Sequence, residues 1–487
     1  MTWTRRGLAA LAALVGGLLL VLVGRALTLP SHQLTRAAGD TVQVDAERVA
    51  RHLSAAVRFR TVWLQDRSNT EPFEAQQAWL AETYPAVHRT LALERIDGHS
   101  LLFTWRGSDP SLKPALLAAH QDVVPVEPGT ESDWTHPPWS GAVVDGVVWG
   151  RGTMDDKASM VTILEAVEAL IQSGFRPSRT LYLALGHDEE VSGEGAQAIA
   201  RRLEDQRLSL VLDEGLVIAT GILPGLQQPA ALIGITERGY MSLDLVVNGQ
   251  GGHSSMPPPQ SPIGILGAAI ARVEANPMPG AVDGPIGATF RWIAPEMRFP
   301  ERLLFANTWL FEPILVSVLS GKPTTNASIR TTIAPTVFQA GDKENVLAQQ
   351  AHAVLNMRVH PRDTVDAAEA WVRAVIDDPR VEVSRRDAMT SDPSPLSTTG
   401  GPGFAAVQRA VHATFPEAVV APGMMLGATD ARFYTGLSDS VYRFQPLQLG
   451  PGESSRFHGT DEQIRVDNLE DYVRFYATLV LELEPGR

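Results

Sequence analysis

Residues 179–190 read RTLYLALGHDEE, a strand-like apolar run that ends in a histidine and three consecutive carboxylates. Adjacent like charges repel and each resists leaving water, so a soluble chain ordinarily spreads them over its surface. Two more stretches share the form: PALLAAH at 114–120 runs into Gln121 and Asp122, and LSLVLDEG at 208–215 carries Asp213 near its end. Between the first two strands, DKASMVTILEAVEALIQSG at 156–174 places Met160, Ile163, Leu164, Val167, Leu170 and Ile171 at helical spacing, with Gly174 as the stop signal. Strand and helix in alternation predict an α/β domain. In such sheets functional groups collect at the carboxyl ends of the strands. All three strands end in potential metal ligands, so a positive charge is expected where they meet.

The 487 residues are too many for one ordinary core and predict two or three domains. With 41 basic and 55 acidic side chains the net charge is −14, and no long Lys/Arg run offers a stripe for phosphates. Nucleic acid is therefore not an expected partner. Cysteine is absent, which excludes disulfides and thiolate ligands and leaves His, Asp and Glu to bind any metal.

The first 27 residues, MTWTRRGLAALAALVGGLLLVLVGRAL, hold Arg5 and Arg6, no charge from Gly7 to Gly24, and then Arg25. Such a run is at the lower limit for spanning a bilayer and longer than most signal-peptide cores. The positive-inside rule keeps Arg5 and Arg6 in the cytoplasm and sends everything after Arg25 across. RALTLP has no small-x-small cleavage pattern, so residues 1–27 read as an uncleaved signal anchor of an extracytoplasmic protein. The alternative is a cleaved signal that leaves a secreted or periplasmic chain, and TRRGL also resembles a twin-arginine start.

From about Glu237 the texture changes to the alternating runs RGYMSLDLVVNG and QAHAVLNMRVHP, which predict a second, α+β domain. The Ser/Pro/Gly-rich SDPSPLSTTGGPG at 391–403 leads back to helix-and-strand patterns, closing on VDNLEDYVRFYATLVLELE with Leu469, Val473, Tyr476 and Val480 at helical spacing. The expected organisation is a catalytic domain from 40–236 and 388–487, interrupted by an inserted domain at 237–387. Candidate ligands are His120 with Asp122, Asp155 with Asp156, Glu189 with Glu190, Asp213, and His458 in FHGTDE. Taken singly, each is as readily a helix cap, a solvated turn or a satisfied core histidine. Taken together, they fit two divalent cations that share a carboxylate.

The strings AAHQDVVPV, GRGTMDDK, GHDEEVSG, VLDEG, GGHSSMPP and HGTDE together resemble the co-catalytic zinc peptidases, which include carboxypeptidase S, aminoacylase and succinyl-diaminopimelate desuccinylase. WTHPPWSGAVVDGVVWGRGTMDDK, NTWLFEPIL, TTNASIRTT, NMRVHP and GATDARFYTGL resemble its N-fatty-acyl-amino-acid synthase/hydrolase and carboxypeptidase S branch, and the likeness runs from about Glu47 onward. The resemblance implies an α/β, zinc-exopeptidase-like sheet with helices on both faces, plus an inserted α+β lid of the dimerisation type. It implies two Zn²⁺ per subunit, with Co²⁺ or Mn²⁺ as alternatives. His120, Asp155 and Asp213 would hold one, and the bridging Asp155 with Glu190 and His458 the other. It also implies a cis peptide between Asp155 and Asp156.

Asp122 would accept the other ring N–H of His120, and Glu189 would be the general base. His253 would reach the oxyanion from the lid, in some members from a partner subunit, which makes a homodimer through the lid an expectation too. Asn345, Arg358, Thr429 and Arg432 match positions that grip the carboxylate of a small-molecule substrate; for Arg432 a structural ion pair is the alternative. The implied reaction is hydrolysis, and formation, of N-fatty-acyl amino acids. Its alternatives are a carboxypeptidase or dipeptidase and, from another class, an exported binding protein without activity. The apolar segment at 288–321 either lines an acyl channel with Trp292, Phe299, Leu303, Leu304, Phe305, Trp309, Phe311, Ile314 and Leu315, or packs as a helical addition against the lid.

Overall fold

The uncharged run after Arg6 forms one helix, α1 (Thr2–Leu27). Its stretch Arg6–Leu27 is long and apolar enough to cross a membrane, about 33 Å at ~1.5 Å per residue. The computed structural model describes residues 2–34, 42–221, 225–386 and 390–486. The domain limits expected at 40 and between 387 and 388 lie outside the described residues.

The strand-like runs pair into a mixed sheet. In chain order its first members are β1 (Ala92–Ile96), β2 (Ser100–Trp105), β3 (Ala115–His120), β4 (Leu181–Gly186), β5 (Leu210–Ala219) and β6 (Ala230–Glu237). The helix expected between β3 and β4 is α2 (Lys157–Gln172), and α3 (Glu194–Arg202) follows the GHDEE turn. Side chains alternate faces along a strand, and this alternation puts a helix on each side. Leu101, Phe103, Leu117, Leu183 and Leu185 pack toward α2, while Leu102, Leu116, Ala118 and Ala184 pack toward Ile199 and Ala196 of α3. Because α2 is sandwiched between the sheet and other helices, it is buried nearly all round.

The alternating runs after Glu237 form a separate four-stranded antiparallel sheet. Its strands are β7 (Gly239–Asn248), β9 (Thr332–Ala340), β11 (Gln350–Val359) and β12 (Glu382–Arg385), in the order β9-β11-β7-β12. A short ribbon of β8 (Gly252–His253) and β10 (Val346–Leu347) lies beside it, with His253 opposite Val346. Inward residues Met241, Leu243, Leu245 and Val247 of β7 pack with Leu266 and Ala269 of the helix Pro262–Ala275 and Val372 of the helix Val365–Ile376, a core of its own.

The chain then completes the first sheet with β13 (Val419–Met425) and β14 (Val441–Leu449), giving β1-β2-β4-β3-β5-β14-β6-β13. β3, β4, β5 and β14 run parallel, so the carboxyl ends of β3, β4 and β5 open on one side.

The apolar segment inside the insertion forms α4 (Gly284–Ile293), α5 (Phe299–Ala306) and α6 (Thr308–Leu319). It packs mainly on the catalytic sheet rather than on the lid. Phe290, Ile293, Met297 and Leu315 share a core with Ala230 and Val419 of the catalytic sheet, and Phe290 stacks on Phe305 at 4.2 Å. Trp292 packs on Phe404 and stacks on His32, whereas Trp309 and Ile314 face outward. The reason is the edge strand β13, whose free side needs covering; α4 runs along it, with Thr289 Oγ1 donating to Pro422 O at 2.7 Å.

One fully buried ion pair joins β14 to the end of β6. Arg443 Nε donates to Glu237 Oε2 at 2.9 Å, and its remaining nitrogens donate to Val441 O and Ser394 Oγ. Removing the cation strands a buried carboxylate, so Arg443→Met is expected to lower stability by about 3–5 kcal/mol. A urea-unfolding midpoint unchanged from the parent would contradict this.

Candidate metal centre and active site

Four adjacent polar residues of the GHDEE turn have four different fates. His187 turns into the core, where Nδ1 meets Ser100 Oγ at 2.7 Å and the ring packs edge-on against Trp63. Asp188 caps α3: its carboxylate accepts from Glu194 N–H at 2.7 Å, Gly195 N–H at 2.9 Å and Ser192 Oγ at 2.8 Å. Only Glu189 and Glu190 are left to face the end of the sheet.

There the sequence candidates converge on Asp155. Its Oδ1 lies 2.9 Å from His120 Nε2 and its Oδ2 lies 3.1 Å from His458 Nε2. One carboxylate thus faces two histidines, one with each oxygen. Glu190 Oε2 lies 3.2 Å from the same His458 nitrogen. The peptide bond from Asp155 to Asp156 is cis. His120, Asp155 and Glu190 offer ligand atoms all within 4.8 Å of one another. Asp213 lies not at the end of β5, as its sequence suggested, but within it, just past the residues paired with β3; it accepts from Glu214 N–H through Oδ1, while its Oδ2 is buried with no partner. Glu190 Oε1 is likewise buried without a partner.

The electrostatics show what this cluster would bind. Burial pushes Glu189 well above the usual carboxylate range, against the pull of His120, and pushes Asp213 up to about 6. Burial opposes charge on His120, but hydrogen bonds to Asp122 and Asp155 outweigh it and raise its pKa. Hydrogen bonds to Asp155 and then Glu190 raise His458 to about 10. The carboxylates therefore draw protons onto the histidines, and a divalent cation would compete for the same atoms. Orphaned carboxylate oxygens beside imidazole nitrogens, with no thiolate, fit Zn²⁺, Co²⁺ or Mn²⁺.

Two carboxylates fasten the loops that carry these groups. Asp122 meets His120 Nδ1 with its backbone carbonyl at 3.0 Å and its Oδ1 at 3.3 Å. Its two oxygens also accept from the N–H groups of Glu189 and Glu190, at 3.2 and 3.1 Å. Glu462, which the sequence reading passed over, is fully buried under the GRGTMDD loop. It accepts from Gly152, Met154 and Asp155 N–H at 3.0, 2.7 and 3.2 Å and from Arg151 Nη1 at 2.7 Å. Its signal was present in FHGTDE, four residues after His458. The loop needs glycine at 152, where φ is +87° and a Cβ would come within 2.6 Å of Val123.

The lid candidates are not in hydrogen-bond contact with this cluster. His253 and Asn345 are neighbours on the β8–β10 ribbon, where Ser254 N–H donates to Asn345 O at 3.2 Å. Ser255 N–H donates to His253 Nδ1 at 3.1 Å, so the neutral ring carries its proton on Nε2. Arg358 of β11 stacks over the Tyr240 ring at 4.8 Å. On the catalytic side Thr429 is fully buried, donating to Glu237 Oε2 at 3.1 Å, and Arg432 donates to the carbonyls of Thr429 and Ser192. Those two side chains hold the 427–434 loop together.

An imidazole–carboxylate cluster beside the ends of parallel strands has the chemistry of a metal-dependent active site, and the chain's family and relatives make it one for the hydrolysis of amide bonds. Residues 116–482 match the model of peptidase family M20/M25/M40, and the chain belongs to that family. It is 39% identical to the N-fatty-acyl-amino acid synthase/hydrolase PM20D1 of Xenopus tropicalis, over 98% of this chain and 96% of that protein. It is 41% identical to the probable carboxypeptidase S-like 2 of Dictyostelium discoideum, over 90% of this chain and 85% of that protein. The fold is shared with the M20 family metallo-carboxypeptidase Sso-CP2 of Sulfolobus solfataricus at a TM-score of 0.63 and 17% identity, covering 91% of this chain and all of that one.

If Glu462 positions Asp155, Glu462→Gln will leave the fold intact and weaken metal retention by about 10–100-fold. Competition with a chromogenic chelator measures this directly, and an affinity equal to the parent's would remove Glu462 from the site.

Proposed function

We propose that this chain hydrolyses the amide bond of N-fatty-acyl amino acids, and forms it where fatty acid is abundant. The observation that carries this reading is the near end-to-end likeness to a synthase/hydrolase of that class, with Glu189 and every candidate ligand present. Two Zn²⁺ per chain, held by His120, Asp155 and Asp213 on one side and by Asp155, Glu190 and His458 on the other, belong to the same proposal. So do a lid spanning 237–387, a homodimer through it, and an extracytoplasmic position behind α1.

A bound pair of divalent cations supplies Lewis acidity and makes water acidic near neutral pH. The protein's own groups do the rest. Glu189, which is not hydrogen-bonded to either cluster histidine, takes a proton from the attacking water and passes it to the leaving nitrogen. The water oxygen bonds to the carbonyl carbon and the C–N bond breaks, releasing fatty acid and amino acid. His253 donates its Nε2 proton as a hydrogen bond to the developing oxyanion once the lid approaches. Arg358 and Asn345 receive the substrate carboxylate, Arg358 exchanging its Tyr240 stack for a bidentate pair. Hydrogen bonds already commit Thr429 and Arg432 to their own loop, which supports a shaping role there.

The likeness to a carboxypeptidase S-like protein favours a second reading, cleavage of short peptides at the same centre. Release of free amino acid from acetyl-, octanoyl- and oleoyl-phenylalanine and from dipeptides separates the two. kcat/KM is expected to rise with chain length, each buried methylene contributing up to about 0.8 kcal/mol. A flat series, or dipeptides cut faster than any acyl amino acid, would promote the peptidase. Glu189→Gln should retain its metal content and lose at least about 10²-fold in turnover; loss of metal would make Glu189 a ligand instead. His253→Ala should lower kcat, and an unchanged kcat would exclude a lid histidine from the transition state.

A further inference from the structure

Helix α6 is inside out for an element surrounded by water. Its outward positions are Trp309, Leu310, Pro313, Ile314, Ser317 and Val318, a stripe without charge along the whole helix. Its one charged residue, Glu312, turns inward, where the carboxylate accepts from Val282 N–H at 3.0 Å. Trp309, Ile314 and Val318 are 55%, 58% and 68% exposed. A surface helix in water shows the opposite arrangement, and a bare apolar face of this kind marks an interaction site.

Its neighbour identifies what covers it. α5 and α6 meet at 108°, and at the corner Asn307 donates its side-chain amide to Leu22 O of α1 at 3.0 Å, while Arg25 Nε donates to Ala306 O at 3.2 Å. Leu22 and Ala26 are buried there, whereas Leu8, Leu11, Leu14 and Val21 are bare. The hairpin therefore grips the last turns of a helix fit to cross a bilayer. From Leu22 to Leu27 is about 8 Å of helix, within the ~5–10 Å depth at which interfacial helices sit. The link from α1 to the body is also fixed. Gln33 exchanges hydrogen bonds of 2.9 and 2.8 Å with the Val420 backbone of β13, and Gln408 Nε2 donates to His32 O at 3.0 Å.

We propose that the α5–α6 hairpin is a second membrane element, lying in the outer boundary of the bilayer that α1 crosses. The bare face of α6 sits among the acyl chains, with the exposed Arg298 and Lys322 at the two ends of the hairpin among headgroup phosphates. Two points of attachment hold the body in one orientation on the lipid surface. The assignment is independent of which amide the enzyme cuts.

The absence of native cysteine permits a direct test. Full-length chain carrying Ile314→Cys, Val318→Cys or, on the exposed lid surface, Glu274→Cys is labelled with an environment-sensitive dye and reconstituted into phosphatidylcholine/phosphatidylglycerol vesicles. Labels at 314 and 318 are expected to shift to the blue, to be quenched by lipids bearing a nitroxide near the headgroup, and to resist aqueous iodide; the label at 274 is expected to do the reverse. Iodide quenching at 314 and 318 equal to that at 274 would overturn the proposal. So would shielding that ignores the lipid nitroxide and vanishes as protein is diluted in lipid, which would assign the face to a second copy of the chain.

Discussion

Desolvated negative charge at one end of a sheet is the constraint on which the rest of this structure depends. Asp213, Glu214 and Asp430 are buried there and Asp155 and Glu189 partly so; burial pushes the pKa of every one of them up, and only Asp155 ends low, because two histidines hold it down. Unpaired, such a cluster would unfold the domain or neutralise itself with protons. The chain answers by dividing the carboxylates into two kinds. Asp122, Asp188 and Glu462 are saturated by backbone N–H groups and act as fasteners of the loops after β3, after β4 and before α2. Asp155, Glu190 and Asp213 keep oxygens turned toward His120 and His458 or toward no partner at all, and this is the geometry that calls for a cation.

The first sheet was legible because its strands are apolar runs of fixed length with abrupt polar ends, and α2 because its apolar positions keep one period. The carboxylate–imidazole cluster was legible because like charges stood together just past two apolar runs and near the end of a third, although Asp213 proves to lie within its strand. What escaped was anything set by partners distant in sequence. Glu462 looks like any acidic loop residue until the GRGTMDD loop is folded over it. Thr429 and Arg432 sit in a motif associated with substrate, yet their partners Glu237 and Ser192 come from other elements. Periodicity could mark the segment at 288–321 as apolar, but could not reveal that its inner face belongs to β13 of the other domain.

That last point follows from how an edge strand behaves. β13 has β6 on one side only, and an uncovered edge with apolar side chains invites pairing with another chain. Here α4 covers its face and Gln33 takes up the backbone groups of Val420. The segment thereby joins the N-terminal helix to the catalytic sheet, and an insertion that begins in the lid ends by bracing the other domain.

The connection between the two domains is similarly two-sided. The chain leaves the catalytic sheet at Glu237 and returns past Ser391, and these two crossings are hydrogen-bonded to each other: Tyr240 exchanges both backbone bonds with Ser391, at 3.0 and 2.9 Å, and Ser397 N–H donates to Ile235 O at 2.8 Å. Arg238 pins the crossing to the lid through the carbonyls of Arg330 and Arg358 and the hydroxyl of Thr332. Glu237 pins it to the catalytic sheet through Arg443, which lies opposite Asp213 in the β5–β14 register; burial raises the Asp213 carboxyl, and the Arg443 charge is one of the groups that oppose that rise. A lid swing that disturbed Glu237 would therefore be felt by Arg443 and, one strand on, by Asp213. The same few residues thus tie the lid to the charge beside Asp213.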